Sequence, residues 1–518
     1  MWWLNRNKKS IFILTLIILF SMPSVFSLFH PGFFPSDDGE WMIIRFSAFH
    51  EAIRDGQIPV RFLSRLNHGY GYPVANFLYP GFMYLAESIH LLGFGFVDSI
   101  KAILILSMVG SSVFCYLWLS KFFDKLSSLV GALFYLYTPY HLFDLYKRGS
   151  VGEILALAVI PFLLWQLERR SFFWTSLGIG FLVLSHNTLA ILFLAIIFAY
   201  IIIRYRLPYQ LKIYWYTCIF AVGLGLSAFF WIPAIFDLRY TVFSQTQVSN
   251  WNNYFSDLSL IGVLTLLVLL LTVVFFITSK IRISKHRLTL LLLIVGLVSI
   301  FFAISLSAPL WKILPVSFIQ FPFRFLALTI ICVAFLASVL VDQLKGSQRI
   351  ITIIIFFIFL AFSAMPYMKP AAFFDKGDSY YATNEDTTAV QNEYMPKWVK
   401  RKPVERFVEK VEIVEGAGTV KNVSYNSKKI TFDVSSIENT KVRVNTIYYP
   451  GWKAKVDGAN KKISYENAKG VIDVEVSKGK HIVEVSFSET PVRLVSNFIS
   501  IACLVILIIV AKRARFTG

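Results

Sequence analysis

The sequence predicts a polytopic α-helical membrane domain of about twelve spans that carries an antiparallel β-domain, expected as a sandwich, outside the bilayer. Three observations predict it. Of the 518 residues, 56% are hydrophobic and only 16% charged, and the mean hydropathy is +0.62, whereas a soluble chain carries closer to a quarter charged residues. Apolar runs of about 16–23 residues recur along the chain, the length a helix needs to cross hydrocarbon. From about Pro366 to Pro491 the pattern switches to the alternation of strands.

Spans are expected near Ile11–Phe29, Ala102–Leu119, Leu126–Tyr140, Val151–Leu167, Ser171–Leu184, Thr188–Ile203, Ile213–Ile235, Leu258–Thr278, Leu288–Leu306, Phe325–Val341, Ile350–Met365 and Val495–Val510. The count rests on charge parity. Lys+Arg exceed Asp+Glu by 19, and most of the excess sits in short clusters between apolar runs, such as Arg6/Lys8/Lys9, Arg169/Arg170, Arg204/Arg206/Lys212, Lys280/Arg282/Lys285/Arg287 and Lys512/Arg513/Arg515. With the amino terminus inside and twelve spans, every cluster lands on the cytoplasmic side. That placement marks a membrane topology and excludes a nucleic-acid surface. The first run has a basic start like a secretory signal, but its long apolar stretch reads as an anchor. Phe77–Phe96 would break the parity if it crossed, so it reads as an interfacial or re-entrant helix, with Tyr79-Pro80-Gly81 making a bend. The four cysteines all fall in apolar runs, which argues against disulfides and a cysteine zinc site.

The domains expected are a membrane domain at 1–365 with an outer loop at 30–101, a β-domain at 366–491, and a last span with a basic tail at 492–518. Lys429–Val434, Lys441–Tyr448, Val471–Val476 and His481–Phe487 alternate apolar and polar residues, and Asp457-Gly458 and Lys478-Gly479 mark turns between them.

Candidate chemistry gathers in the outer loop. Pro35-Ser36-Asp37-Asp38-Gly39-Glu40-Trp41 opens an amphipathic stretch that ends Asp55-Gly56-Gln57-Ile58-Pro59. Asp37 with Glu40 three residues on resembles a capping box. Asp38 shares a helix face with Trp41, Met42, Arg45 and Phe49, which leaves either dipole compensation or catalysis as its role. Asn67-His68-Gly69-Tyr70-Gly71-Tyr72-Pro73 follows, with tyrosines suited either to sugar stacking or to a packed interfacial loop.

This order of motifs resembles the GT-C superfamily of integral-membrane glycosyltransferases, and within it the YfhO-like bacterial membrane proteins, part of which carry the label "6-pyruvoyl-tetrahydropterin synthase-related". The resemblance continues in Lys147-Arg148-Gly149-Ser150-Val151-Gly152-Glu153, Ser185-His186-Asn187, Phe230-Trp231-Ile232-Pro233, Gln320-Phe321-Pro322-Phe323-Arg324-Phe325 and Tyr448-Tyr449-Pro450-Gly451-Trp452-Lys453-Ala454. Where relatives carry His-Asp and a second histidine, this chain has Asp37-Asp38 and Met42, which removes the basis for a histidine-dependent role. Its eight histidines show no zinc-ligand spacing, so no zinc is expected.

The resemblance implies sugar transfer from a polyprenyl-phosphate donor to a glycan, lipid or protein acceptor, at the outer face of a bacterial cytoplasmic membrane. It implies a first-loop carboxylate that acts as base or helps hold a divalent cation, Mg²⁺ or Mn²⁺. Asp38 is the expected base, with Asp37 beside it, and Asp37, Asp38 and Glu153 are the carboxylates for a cation. Arg148, Lys147, Arg324 and Arg45 are the donor-phosphate candidates, since arginine binds phosphate bidentately. Tyr70, Tyr72, His186, Asn187 and Trp452 are the substrate candidates. A lipid or sugar transporter and a non-catalytic envelope-assembly protein are the rival readings. A transporter would place charges near mid-bilayer and show related halves.

Overall fold

The computed structural model describes residues 2–205, 210–245, 250–278, 283–314, 319–388 and 392–516; Arg206, Lys280 and Arg282 of the basic clusters lie outside them. Each expected span coincides with a helix or a bent helix pair. Seven single helices have the length and apolarity to cross a bilayer: Ile11–Phe29, Phe96–Leu119, Val151–Glu168, Asn187–Tyr205, Pro322–Gln343, Gly346–Tyr367 and Pro491–Arg513. Two bent pairs raise the number to nine among the described residues: Tyr214–Leu226 with Ala228–Tyr240, bent by 68°, and Arg287–Ala303 with Ser305–Ile313, bent by 80°. The remaining three, Lys125–Tyr137, Phe172–Ser185 and Val263–Ile277, run 13 to 15 residues, short of the ~20 that a ~30 Å core takes. The chain is a multi-pass membrane protein.

Burial sorts the helices as their sequences dictate. Leu326–Gln343 is apolar all round and sits at the centre, with every residue from Leu326 to Val341 buried. Pro491–Phe516 is apolar along its length too, yet Phe498, Ile501 and Leu504 are exposed on its surface, as on a helix that faces lipid. The stretch Phe77–Phe96 resolves into a helix over only Gly81–His90, about 15 Å long and unable to span. It packs closely: a Cβ at Gly81 would lie 2.6 Å from the Leu184 carbonyl oxygen.

The β-domain is a two-sheet antiparallel sandwich. Its strands are β1 (Val411–Glu415), β2 (Gly418–Tyr425), β3 (Lys429–Ser436), β4 (Thr440–Ile447), β5 (Trp452–Val456), β6 (Ala459–Lys461), β7 (Ile463–Ser464), β8 (Val471–Val476) and β9 (Gly479–Phe487). One sheet has the order β1-β4-β8-β7 and the other β2-β3-β9-β5-β6. Alternation sets the core: Ile430, Phe432 and Val434 of β3 pair in register with Val485, Val483 and His481 of β9, and these valines and the β3 residues are buried.

The outer loop is welded to this domain. The Ile447 N–H donates to the Tyr70 carbonyl at 2.8 Å, Lys410 Nζ donates to the carbonyls of Gly69 and Asn445 at 3.0 and 2.9 Å, and Phe62 packs on Trp452 and Phe487. Segment 370–388 adds a second tie, in which the Asp378 carboxylate accepts the Phe96 N–H at the start of a spanning helix.

Candidate active site

The site begins with two chain segments laid edge to edge. The N–H groups of Asp37 and Asp38 donate to the carbonyls of Lys147 and Arg148 at 3.1 and 2.8 Å. Glycine makes this approach feasible: Gly149 has φ +61°, and a Cβ there would lie 2.4 Å from Ser36 Oγ. Asp144–Arg148 is a π-helical turn, an irregularity that concentrates at functional sites. The helix Gly39–Arg54 then starts with Asp38 at its cap position, yet the Asp38 side chain makes no cap bond. The Ser36 hydroxyl accepts the Gly39 N–H instead, at 3.2 Å. The capping-box expectation for Asp37 is thereby corrected, and the Asp38 carboxylate is left for another partner.

That partner is Arg148. Its Nη2 donates to Asp38 Oδ2 at 2.9 Å, while Nη1 contacts Asp144 Oδ1 at 3.2 Å and Glu153 Oε1. Glu153 is fully buried and takes a second arginine, with Arg324 Nε donating at 2.9 Å. The Tyr140 hydroxyl donates to its other oxygen at 3.2 Å. Phe321 and Phe323 flank the Arg148 guanidinium at 5.3 and 5.2 Å, excluding water from it. Three of the family-like motifs therefore converge here: 147–153, 185–187 and 320–325. Asp38 differs from the rest in being partly open, its side chain 37% exposed against 0% for Glu153.

Charge in this cluster is unevenly matched. Asp144 is buried and its Oδ2 has no partner among the described residues; burial and the neighbouring Glu153 carboxylate push its pKa well up. Desolvation also raises Asp37, against the pull of Lys147 and Arg148. Burial likewise raises Glu393, whose neighbours include Arg45, Asp38 and Arg324. His186 is held down to about 3 by burial despite facing Glu153, so it is neutral. Its Nδ1 accepts the Leu189 N–H at 3.3 Å, and Nε2 lies 3.6 Å from Glu153 Oε1.

The other expected site residues separate. Arg324 and Arg148 are engaged by carboxylates and buried, so neither presents a bare guanidinium for phosphate. Arg45 is turned to Thr388, donating to its hydroxyl at 3.1 Å and to its carbonyl. Lys147 is exposed beside Asp37. Asn187 is exposed and donates to the Phe77 carbonyl at 3.3 Å. Tyr70 and Tyr72 are buried in the seam with the β-domain: Lys469 Nζ donates to the Tyr70 hydroxyl at 2.7 Å, and the Tyr72 hydroxyl accepts the Tyr394 N–H at 3.0 Å. Trp452 is 4% exposed in the sandwich core. None of these three aromatics offers a face to a sugar, because packing across the seam already covers it.

Glu153 does not fit a cation. Two guanidinium groups and a tyrosine hydroxyl occupy both of its oxygens, and among the described residues no group of three His, Cys, Asp or Glu side chains comes together as a ligand set.

Sequence reasoning missed Asp144, Tyr140 and Glu393. Asp144 was legible as an acid four residues before Arg148; Glu393 had no local signal. A second missed network joins the Tyr448–Ala454 motif to the membrane domain. Arg493 donates to Asp237 Oδ2 from Nε and Nη2 at 3.1 and 2.8 Å and from Nη1 to the Pro450 carbonyl at 2.8 Å. Tyr449 and Asn76 donate to the same carboxylate at 3.2 and 3.0 Å. A Ser477–His481–Asp457 chain also occurs, with spacings of 3.2 and 2.6 Å. It lies on exposed hairpin turns, where it ties the β5–β6 tip to the β8–β9 tip.

No family model matches the chain. An uncharacterized protein of Lactococcus lactis subsp. cremoris (strain MG1363) is 23% identical over 273 residues, covering 48% of this chain and 44% of that relative. The chain thus spans less than half the length of the relative it matches. Among solved structures, the archaeal oligosaccharyltransferase AglB from Archaeoglobus fulgidus, in complex with an inhibitory peptide and a dolichol-phosphate, is 12% identical with a TM-score of 0.46, over 74% of this chain and 56% of its own. The arabinofuranosyltransferase AftD from Mycobacteria is 15% identical with a TM-score of 0.51, over 71% of this chain and 28% of its own. At that identity the likeness speaks to fold, and the fold is GT-C-like.

Proposed function

We propose that the protein is a membrane glycosyltransferase that moves a sugar from a polyprenyl-phosphate donor to an envelope acceptor at the outer face of a bacterial cytoplasmic membrane. The observation that carries this reading is Asp38: a partly exposed carboxylate held by Arg148 at the edge of a buried charged cluster on a GT-C-like fold. The acceptor hydroxyl or amine gives its proton to Asp38 as its oxygen or nitrogen bonds to the sugar C1, and the C1–O bond to the polyprenyl phosphate breaks. A neutralised Asp38 no longer holds Arg148 electrostatically. Nη2 of the guanidinium is thereby freed for the leaving phosphate beside exposed Lys147, while Nη1 stays on Asp144 and Glu153. Glu153 positions both Arg148 and Arg324 and takes no proton in this scheme.

Asp38→Asn keeps the shape and removes the base. The expected result is a fall in transfer from a polyprenyl-phosphate sugar of about 10²–10⁴-fold, with an unchanged thermal melt; Asp37→Asn costs far less because Arg148 acts on Asp37 only through space, whereas it bonds Asp38 directly. Transfer at the native rate by Asp38→Asn overturns the base assignment. A collapsed melt makes the Asp38–Arg148 pair structural and favours a non-catalytic envelope protein.

A further inference from the structure

Four aromatic side chains gather where the helix Ala228–Tyr240, segment 393–401 and the β-domain meet. Tyr448 and Tyr465 stack at 4.2 Å with planes 4° apart. Trp398 leans on both, at 5.7 and 5.1 Å, and Tyr240 approaches it at 6.2 Å. All four are only partly buried, unlike the fully packed Tyr70, Tyr72 and Trp452. The cluster is fixed in place: Trp398 Nε1 donates to the Tyr448 carbonyl at 3.0 Å, the Lys397 N–H to the Tyr240 carbonyl at 2.9 Å, and the N–H groups of Lys400 and Arg401 to the Ala468 carbonyl. Its rim is basic. Lys397, Lys400, Arg401, Lys461 and Lys462 are exposed around it, the Arg239 guanidinium lies over the Tyr240 ring at 4.7 Å and donates to its hydroxyl at 2.7 Å, and Glu466 is the one acid within 461–470.

We propose that Tyr240, Trp398, Tyr448 and Tyr465 form a platform for an acidic glycan, whose pyranose rings lie on the aromatic faces and whose anionic substituents meet the basic rim. Rigid amphipathic rings suit the apolar face and hydroxyl edge of a sugar, and the surrounding charge selects an anionic one. A role in acceptor binding rests on the transferase reading above, and placement supports it. Segment 393–398 leads from Glu393, beside Arg45 and Asp38, to Trp398. Five residues reach at most about 17 Å, so the platform lies within a few sugar lengths of the site. Tyr394 pins the segment between them, stacked on Phe77 at 4.9 Å and on Phe243 at 5.6 Å.

The full-length protein in nanodiscs, titrated with hexameric oligogalacturonate, tests the platform without any donor present. Native protein is expected to bind saturably and to bind uncharged maltohexaose at least ten-fold more weakly. Tyr465→Ala is expected to lose at least ten-fold in oligogalacturonate affinity with an unchanged melt, Tyr465→Phe to retain it, and the pair Lys400→Glu with Arg401→Glu to lose it. Asp38→Asn leaves this binding intact, so platform and catalytic reading fail separately. Absence of saturable binding to native protein, or native affinity in Tyr465→Ala, overturns the proposal. Binding of anionic phosphatidylglycerol vesicles that oligogalacturonate does not displace also overturns it, and makes the cluster a bilayer contact.

Discussion

Two buried arginine–carboxylate networks hold this molecule together, and they are built to different specifications. Arg493 and Asp237 are both buried, and a single carboxylate oxygen collects two guanidinium bonds, a tyrosine hydroxyl and an amide. Arg148 is shared among three carboxylates, one of them half-open and one with an oxygen left without a partner among the described residues. The first network matches one acid with one guanidinium, and Asn76 Oδ1 in it is left without a partner among the described residues. The second carries more acid than it neutralises and faces outward through Asp38. Buried ion pairs are weak evidence for stability on their own; whether acid and base match one to one, and whether a carboxylate reaches solvent, distinguishes a clamp from a site.

Breaking the clamp gives the largest expected effect. Asp237→Asn leaves Arg493 buried without a counter-charge and is expected to destabilise the protein by roughly 3–5 kcal/mol, read as a shift in the denaturant midpoint in detergent. A loss under about 1 kcal/mol would erase the distinction from Asp38→Asn, for which no stability change is expected.

The seam supplies a third arrangement, in which Lys410 meets two carbonyls. Burial lowers its pKa from 10.5 to about 7. Between those values the unfolded chain binds the proton that the folded chain does not. Stability is therefore expected to rise with pH from about 7 to 10.5, by up to about 1.4 kcal/mol per unit, and to level off below 7. Lys410→Met should flatten the profile; an unchanged slope would show that other groups set it.

The smallest effect belongs to an ordinary surface pair. Lys376 and Glu40 sit about one-third exposed, and Glu40→Gln is expected to change stability by less than about 1 kcal/mol. A larger loss in the melt would mean that the start of the Gly39–Arg54 helix depends on this contact.

Much of the fold was legible because its signals are local. Apolar run length located the helices and alternation located the strands, whereas the hydrophilic stretch expected from Pro366 reaches its first strand only at Val411, after a short helix over Gly377–Thr383. The site was legible in part. Asp38, Arg148, Glu153, His186 and Arg324 could be nominated from motif order, and they meet. What each does there was not readable, because a guanidinium that binds phosphate and one that holds a carboxylate carry the same letter. Tyr70, Tyr72 and Trp452 show the converse failure. Their surroundings come from segments hundreds of residues away, so nothing near them in sequence distinguishes a stacking face from a packed core.

The clamp also imposes an order on biogenesis. Asp237 and Arg493 stand 256 residues apart, and at ribosomal rates of 5–20 residues per second the carboxylate waits about 10–50 s for its guanidinium. Throughout that interval the end of the helix Ala228–Tyr240 holds a charge that the finished protein buries, so it must stay hydrated at the membrane surface. The segment can settle only when the last helix arrives, which makes Pro491–Phe516 the element that licenses the assembly as well as the one that anchors it.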